Sequence, residues 1–230
     1  MSWPLPRDAQ LVEVTALTHR GAMRQRNQDA LAIGPLTAAD LDLIDPVRVT
    51  LPLRAPVVAA VADAVVRCLQ EVNDDLYRLA AEDPARTGTG ATVAGLVLTA
   101  QETLWFNVGD ARAYREDGGY LGQVSVDDSP PRPAGAAEAE TTSTVVTQSL
   151  GGAPVPTAVH PHVGCHPGTA PDRWLLCSDG LSDAVPIATM ERLLRDHDDL
   201  HGVRELWAAA MNAGGRDNIS IALVRRTPPP

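Results

Sequence analysis

Trp174 to Leu181 reads Trp-Leu-Leu-Cys-Ser-Asp-Gly-Leu, an apolar run that stops at Ser178, Asp179 and Gly180. A short apolar stretch ended by a carboxylate and a glycine predicts a strand running into a turn, because Asp and Gly are poor in strands and favoured in turns. The same kind of junction recurs at Val61-Ala62-Asp63-Ala64, Val108-Gly109-Asp110-Ala111 and Arg216-Asp217-Asn218-Ile219. Any one such Asp is ordinarily a turn residue. If several converge at one end of a sheet, they repel one another at neutral pH unless cations neutralise them. Hard oxygen donors with no His or Cys close in sequence favour Mg²⁺ or Mn²⁺ over zinc.

Outward from these junctions the pattern is mostly of short strands, at Leu11 to Leu17, Asp29 to Ile33, Val57 to Ala62, Thr92 to Thr99, Thr103 to Val108, Ala111 to Arg115, Tyr120 to Val126, Trp174 to Cys177 and Asn218 to Val224. Each is rich in Val or Leu and bounded by Gly, Asp or Pro. Leu96 to Leu98 and Leu104 to Phe106, joined by Thr99 to Thr103, read as a hairpin, so the sheets are expected to be largely antiparallel. Helical periodicity marks Val65 to Glu82, where Val65, Leu69, Val72, Leu76 and Leu79 share one face, and also Pro186 to His197 and Leu200 to Ala213. Strands flanked by a few helices predict an α+β layered sandwich. Two segments, Ser129 to Glu140 and Arg225 to Pro230, are rich in Pro, Ala and charge and read as a mobile loop and a disordered end. The chain is therefore expected to form one domain over residues 1–226, with a disordered tail at 227–230.

Composition narrows the classes. With 230 residues, 44% of them hydrophobic, the chain can bury a sizeable core, which excludes disorder throughout. A formal charge of −10 argues against nucleic acid as a partner. The acidic residues are 20 Asp and 9 Glu, and every basic residue is Arg, which with abundant Ala suggests a GC-rich bacterial genome. Cys68, Cys165 and Cys177 form no Cys-x-x-Cys pair, and neither a signal-peptide core nor a membrane-spanning run is legible, so a cytoplasmic protein without a membrane partner is expected. Oligomeric state is not legible.

The segments Gly21-x-x-Arg24-x-x-Asn27-Gln28-Asp29-Ala30, Val61-Ala62-Asp63, Gly88-Thr89-Gly90-Ala91-Thr92, Val108-Gly109-Asp110-Ala111-Arg112-Ala113-Tyr114, Leu175 to Leu181 and Gly215-Arg216-Asp217-Asn218-Ile219-Ser220 resemble, in order, the PPM protein phosphatases, the metal-dependent type 2C enzymes. That resemblance spans about Leu11 to Val224. It implies a four-layer α/β/β/α sandwich of two antiparallel sheets flanked by helix pairs. It also implies two Mn²⁺ or Mg²⁺ ions, with a weaker third, hydrolysing phosphoserine and phosphothreonine in a phosphorylated protein substrate. By resemblance Asp63 bridges the two metals, the carbonyl of Ala64 is a further ligand, and Asp179 and Asp217 are terminal ligands. Asp110 resembles the ligand of the third metal, Asp29 the carboxylate that orients a metal-bound water, and Arg24 the clamp on the substrate phosphate. The residue types suit that chemistry, since paired cations generate a nucleophile from water and Arg offers a planar fork to two phosphate oxygens.

The chain also departs from the family. Asp63-Ala64 runs directly into Val65-Val66-Arg67, without the glycine-rich stretch that by resemblance carries a histidine general acid. Loss of a general acid typically costs about 10²- to 10⁴-fold, chiefly on alkyl phosphoesters. Gln28 stands where the family commonly has Glu, and Asp128 where it commonly has His. His19 reads either as a replacement acid or as an ordinary surface His. The His160-Pro161-His162 and Cys165-His166 cluster reads either as a zinc site or as an exposed edge strand. Cys177 is expected in the core, and Arg112, Tyr114, Thr89 and Thr92 in structural roles. Two functions stay open: an active phosphatase, or a pseudophosphatase that binds phosphopeptide with little turnover.

Overall fold

The structure, a computed structural model, describes residues 11–34, 36–53, 61–130, 145–168 and 171–227. In chain order its strands are β1 (Leu11–His19), β2 (Ala30–Ile33), β3 (Leu36–Ala39), β4 (Val47–Pro52), β5 (Gly90–Ala91), β6 (Val93–Leu98), β7 (Glu102–Val108), β8 (Arg112–Asp117), β9 (Tyr120–Gln123), β10 (Leu150–Gly151), β11 (His162–Pro167), β12 (Asp172–Cys177) and β13 (Ile219–Thr227). Its helices are α1 (Val61–Glu82), α2 (Asp179–Ser182), α3 (Ile187–Asp196) and α4 (Asp199–Asn212). The larger sheet runs β4-β1-β13-β12-β8-β9, the smaller β11-β7-β6, and all pairings within both are antiparallel.

Period-two alternation along β13 shows why these become layers. Ile219, Ile221 and Leu223 face the helices α3 and α4, packing with Met190, Leu193, Val203 and Leu206. Ala222 and Val224 point the other way, with Val12, Val14 and Trp174, toward Leu96, Leu98 and Trp105 of the smaller sheet. On the far side of that sheet Phe106 and Val108 meet Val65, Leu69 and Leu76 of α1. The order is helices, sheet, sheet, helix: an α/β/β/α sandwich, in which one long helix covers the outer face of the smaller sheet among the described residues.

The hairpin expected around Thr99 to Thr103 forms, with Leu96 opposite Trp105. The expected disordered end is corrected in part: Arg225, Arg226 and Thr227 are strand residues paired with Glu13, Val12 and Leu11. Arg226 is fully buried, donating to the carbonyls of Thr99 and Glu102 and to Thr103 Oγ1, so its charge ties the two sheets together. On the helix side, Arg173 and Arg225 both bond Asp199 at the start of α4, which fastens that helix to β12 and β13. The expected strand Val57 to Ala62 is also corrected: Val61 and Ala62 open α1, and the remainder lies outside the described residues. Most of the expected mobile loop, from residue 131 on, and residues 228–230 lie outside them as well.

Candidate metal centre

Register in the larger sheet decides which aspartates meet. Cys177, the last residue of β12, pairs with Arg112 at the start of β8 and with Ile221 near the start of β13. Asp179 leaves β12 at the edge where Asp110 enters β8 and Asp217 enters β13. The end of β1 reaches the same edge, His19 opposite Ile219, and sends out the loop that carries Arg24 and Asp29.

Glycines let these junctions approach. A Cβ on Gly180 would lie 1.9 Å from the carbonyl oxygen of Asn218, and one on Gly21, whose φ is +75°, would lie 2.2 Å from that of Asp217. Side-chain amides then stitch the loop in place. Asn218 Nδ2 donates to the carbonyls of Arg20 (3.1 Å) and Arg26 (2.9 Å), while its Oδ1 accepts the Gln28 N–H at 2.8 Å. Asn27 Nδ2 donates to Thr18 Oγ1 at 2.9 Å and to the Leu41 carbonyl at 2.6 Å. Arg24 Nη2 donates to Asp217 Oδ2 at 2.5 Å from a half-exposed position, which sets a cation beside the cluster.

The electrostatics are those of a carboxylate cup. Burial, and then the charges of Asp110, Asp217, Asp183 and Asp29, push Asp179 up to about 6 from an ordinary 3.8. Asp110 is raised as well, by burial first and by Asp183 and Asp127. Asp29 Oδ2 is buried with no hydrogen-bond partner among the described residues. Buried polar atoms in folded proteins are almost always paired with protein, water or an ion. A hard divalent cation answers the mutual repulsion, so Asp179, Asp217 and Asp110 fit such an ion by donor chemistry, with the unpartnered Asp29 oxygen an acceptor on the same loop as Arg24. Among the described residues no three carboxylates are already closed about a single point.

Asp63 and Ala64 lie in a helix and not, like the other aspartates, at the end of a paired strand. Asp63 is exposed in the first turn of α1. Inside a helix the Ala64 carbonyl points along the axis toward the N–H four residues on, which takes it out of use as a ligand. The expectation that Asp63 ends a strand is therefore corrected. With no glycine-rich spacer after Asp63, the run Val61 to Glu82 continues as one helix to its first residue. Asp183, missing from the sequence reading, joins the cluster one helical turn after Asp179. The only signal available for it was the Asp-Gly-Leu-Ser-Asp spacing.

The neighbouring residues fall into place. His19 Nδ1 accepts the Gly21 N–H at 3.0 Å and its ring meets Trp207 edge-on, so it holds the turn below Arg24. Cys177 is a core residue whose thiol burial pushes up to about 12. Arg112 forms a two-pronged ion pair with Asp127 (2.9 and 2.6 Å) and also reaches the Tyr114 hydroxyl. Thr92 packs against Gly109 at a strand entry. β11 is an edge strand, with His162 bonded to Asp128 and His166 against Trp174.

No model of a known protein family matches the chain. It is 28% identical over 177 residues to a serine/threonine phosphatase, stp, of Listeria innocua, an alignment covering 70% of this chain and 66% of that relative's length. Among solved structures, the Mycobacterium tuberculosis serine/threonine phosphatase PstP/Ppp superposes with a TM-score of 0.71 at 20% identity, covering 94% of this chain and 99% of that one. The catalytic domain of PstP in complex with 2 manganese ions superposes with a TM-score of 0.66 at 20% identity, over 94% and 99% of the two chains.

Proposed function

We propose that this chain, which belongs to the PPM (type 2C) phosphatase family, is a metal-dependent hydrolase of phosphoserine and phosphothreonine in proteins. The observation that carries the reading is the convergence of Asp179, Asp217 and Asp110 at one sheet edge with Arg24 beside them. On this reading those three carboxylates hold Mn²⁺ or Mg²⁺. When bound, the metal supplies Lewis acidity and a water acidic enough to attack phosphorus near neutral pH.

The chain's own residues do the rest. Arg24 already donates to Asp217 at the cup's rim, and its remaining donors can engage two oxygens of a phosphate monoester. Charge that grows on those oxygens in the transition state strengthens the contact, so Arg24 contributes to rate as well as binding. Asp29 Oδ2, buried and without a partner among the described residues, is an acceptor for the proton of the attacking water. His19 accepts the Gly21 N–H and meets Trp207 edge-on, contacts of a structural residue, and the glycine-rich stretch that by resemblance carries the general acid is absent. Aryl phosphates, whose leaving groups need no proton, are then the better substrates. The reading includes a cytoplasmic phosphoprotein as partner, with no nucleic acid or membrane involved.

The placement of Asp63 in the first turn of a helix, with no glycine-rich stretch after it, favours a second reading, a phosphopeptide-binding module with little turnover. Hydrolysis of a phosphothreonine peptide and of p-nitrophenyl phosphate, with and without Mn²⁺, separates the two. Mn²⁺-dependent phosphate release that Asp179→Asn removes supports the enzyme. Saturable peptide binding without release supports the module and overturns the enzyme.

A further inference from the structure

Asp110 sits one residue beyond Gly109, whose φ of +93° and close approach to Thr92 leave no room for a side chain. What holds that turn comes from elsewhere in the fold. The Gly109 N–H donates to Asp128 Oδ2 at 2.8 Å, and the Asp128 N–H donates back to the Gly109 carbonyl at 2.9 Å. Asp128 is itself fixed on its far side. His162 Nε2, arriving from the edge strand β11, lies 2.9 Å from Oδ1, and Gln148 Nε2 donates to Oδ2 at 2.8 Å. Gln148 is anchored in turn by the His160 N–H and carbonyl. Asn107 completes the support at the end of β7, donating to the Val126 carbonyl at 2.7 Å and accepting the Val126 N–H at 3.2 Å.

We propose that Asp128 and His162 form a positioning couple for Asp110, holding the Gly109 turn so that the Asp110 carboxylate faces Asp179. The inference rests on the metal-dependent reading above. The couple explains why a carboxylate can stand at position 128, where the resemblance has His: the imidazole is supplied across space by β11. The two partners are only 13% and 32% exposed, so their contact is largely shielded from competing water. Neither residue touches substrate or ion, and both act through the backbone of Gly109.

Mn²⁺ titration by calorimetry, on folded wild type and variants, tests this without reading turnover. Loss of an outer partner of a metal ligand typically costs about 10- to 100-fold in metal affinity. Asp128→Ala should weaken the weakest Mn²⁺ event by about 10-fold, and Asp128→Asn, which can still accept from Gly109, should recover most of it. On an Asp110→Asn background, Asp128→Ala should change nothing further, a result that a general loss of packing would not give. If Asp128→Ala fails to fold, His162→Gln on the edge strand β11 takes its place, with a several-fold loss expected and the same dependence on Asp110. Wild-type affinity in a folded Asp128→Ala or His162→Gln, or an equal loss on the Asp110→Asn background, overturns the couple. Failure of Asp179→Asn to alter Mn²⁺ binding would instead overturn the metal-dependent reading itself.

Discussion

Asp179 and Asp63 look alike in sequence, each an aspartate after a short apolar run and before a small residue, yet the fold treats them in opposite ways. Asp179 leaves a strand bonded on both sides, by β13 and by β8, so its neighbours at the sheet edge are fixed by register. Gly180 and Gly21 then allow two backbones to come within contact of that edge. Asp63 has neither a glycine after it nor a strand pairing to hold it. Ala64, Val65 and Val66 follow at once, and the residue becomes part of the first turn of α1, where an acidic side chain also suits the helix dipole. Convergence of carboxylates thus depends on what fastens each junction more than on the carboxylate itself.

That contrast can be broken in several ways. The largest effect is expected at Arg24, the cation of the fastened end. Arg24→Ala should lower kcat/KM on a phosphothreonine peptide by about 10²- to 10³-fold, as removal of a charge-stabilising donor commonly does. Equal activity would remove the phosphate clamp from the account. Gly180→Ala forces a Cβ against the Asn218 carbonyl and should cost about 1–3 kcal/mol in urea unfolding. No loss would mean that the close approach of Gly180 to the Asn218 carbonyl is not what builds the cup. Asp63→Asn should leave stability within about 0.5 kcal/mol, as exposed substitutions usually do, and should leave turnover at the same order of magnitude. A collapse of turnover on the scale of Asp179→Asn would place Asp63 in the cup and erase the contrast.

The smallest effect concerns the metal-free protein. Asp179 is held at about 6 when folded against an ordinary 3.8, so folding favours its protonated form. That contribution is fully present below about pH 4 and is lost as pH rises through 6. Asp179→Asn should therefore raise the melting temperature of metal-free protein above pH 6 by a few degrees, given about 2–4 °C per kcal/mol for a domain of this size. Near pH 4 the two proteins should melt together. A pH-independent difference would mean that repulsion within the cup is not the cause.

Much of the fold was legible because the layers are built from alternation and helical period, which are local. The hairpin of β6 and β7 and the faces of α1, α3 and α4 could be read residue by residue. What escaped depends on partners distant in sequence. Arg226 belongs to a stretch whose composition reads as a frayed end, yet its guanidinium finds the Thr99 and Glu102 carbonyls more than 120 positions away. Asn218 anchors the Arg24 loop across more than 190 positions, which no local pattern signals. Asp110, Asp179 and Asp217 were legible as strand ends. The start of α1 was misread because an apolar run before an Asp fits a strand and a helix equally well.

On the proposed function the working part of the molecule is the fastened edge of the larger sheet, and phosphate release tests that most directly. Wild type and Asp179→Asn would be compared side by side on a phosphothreonine peptide across a Mn²⁺ titration that starts from chelated protein. The account predicts release that rises with Mn²⁺ and saturates for wild type, and background release at every Mn²⁺ concentration for Asp179→Asn. Equal release by the two proteins, or wild-type release indifferent to Mn²⁺, would contradict it.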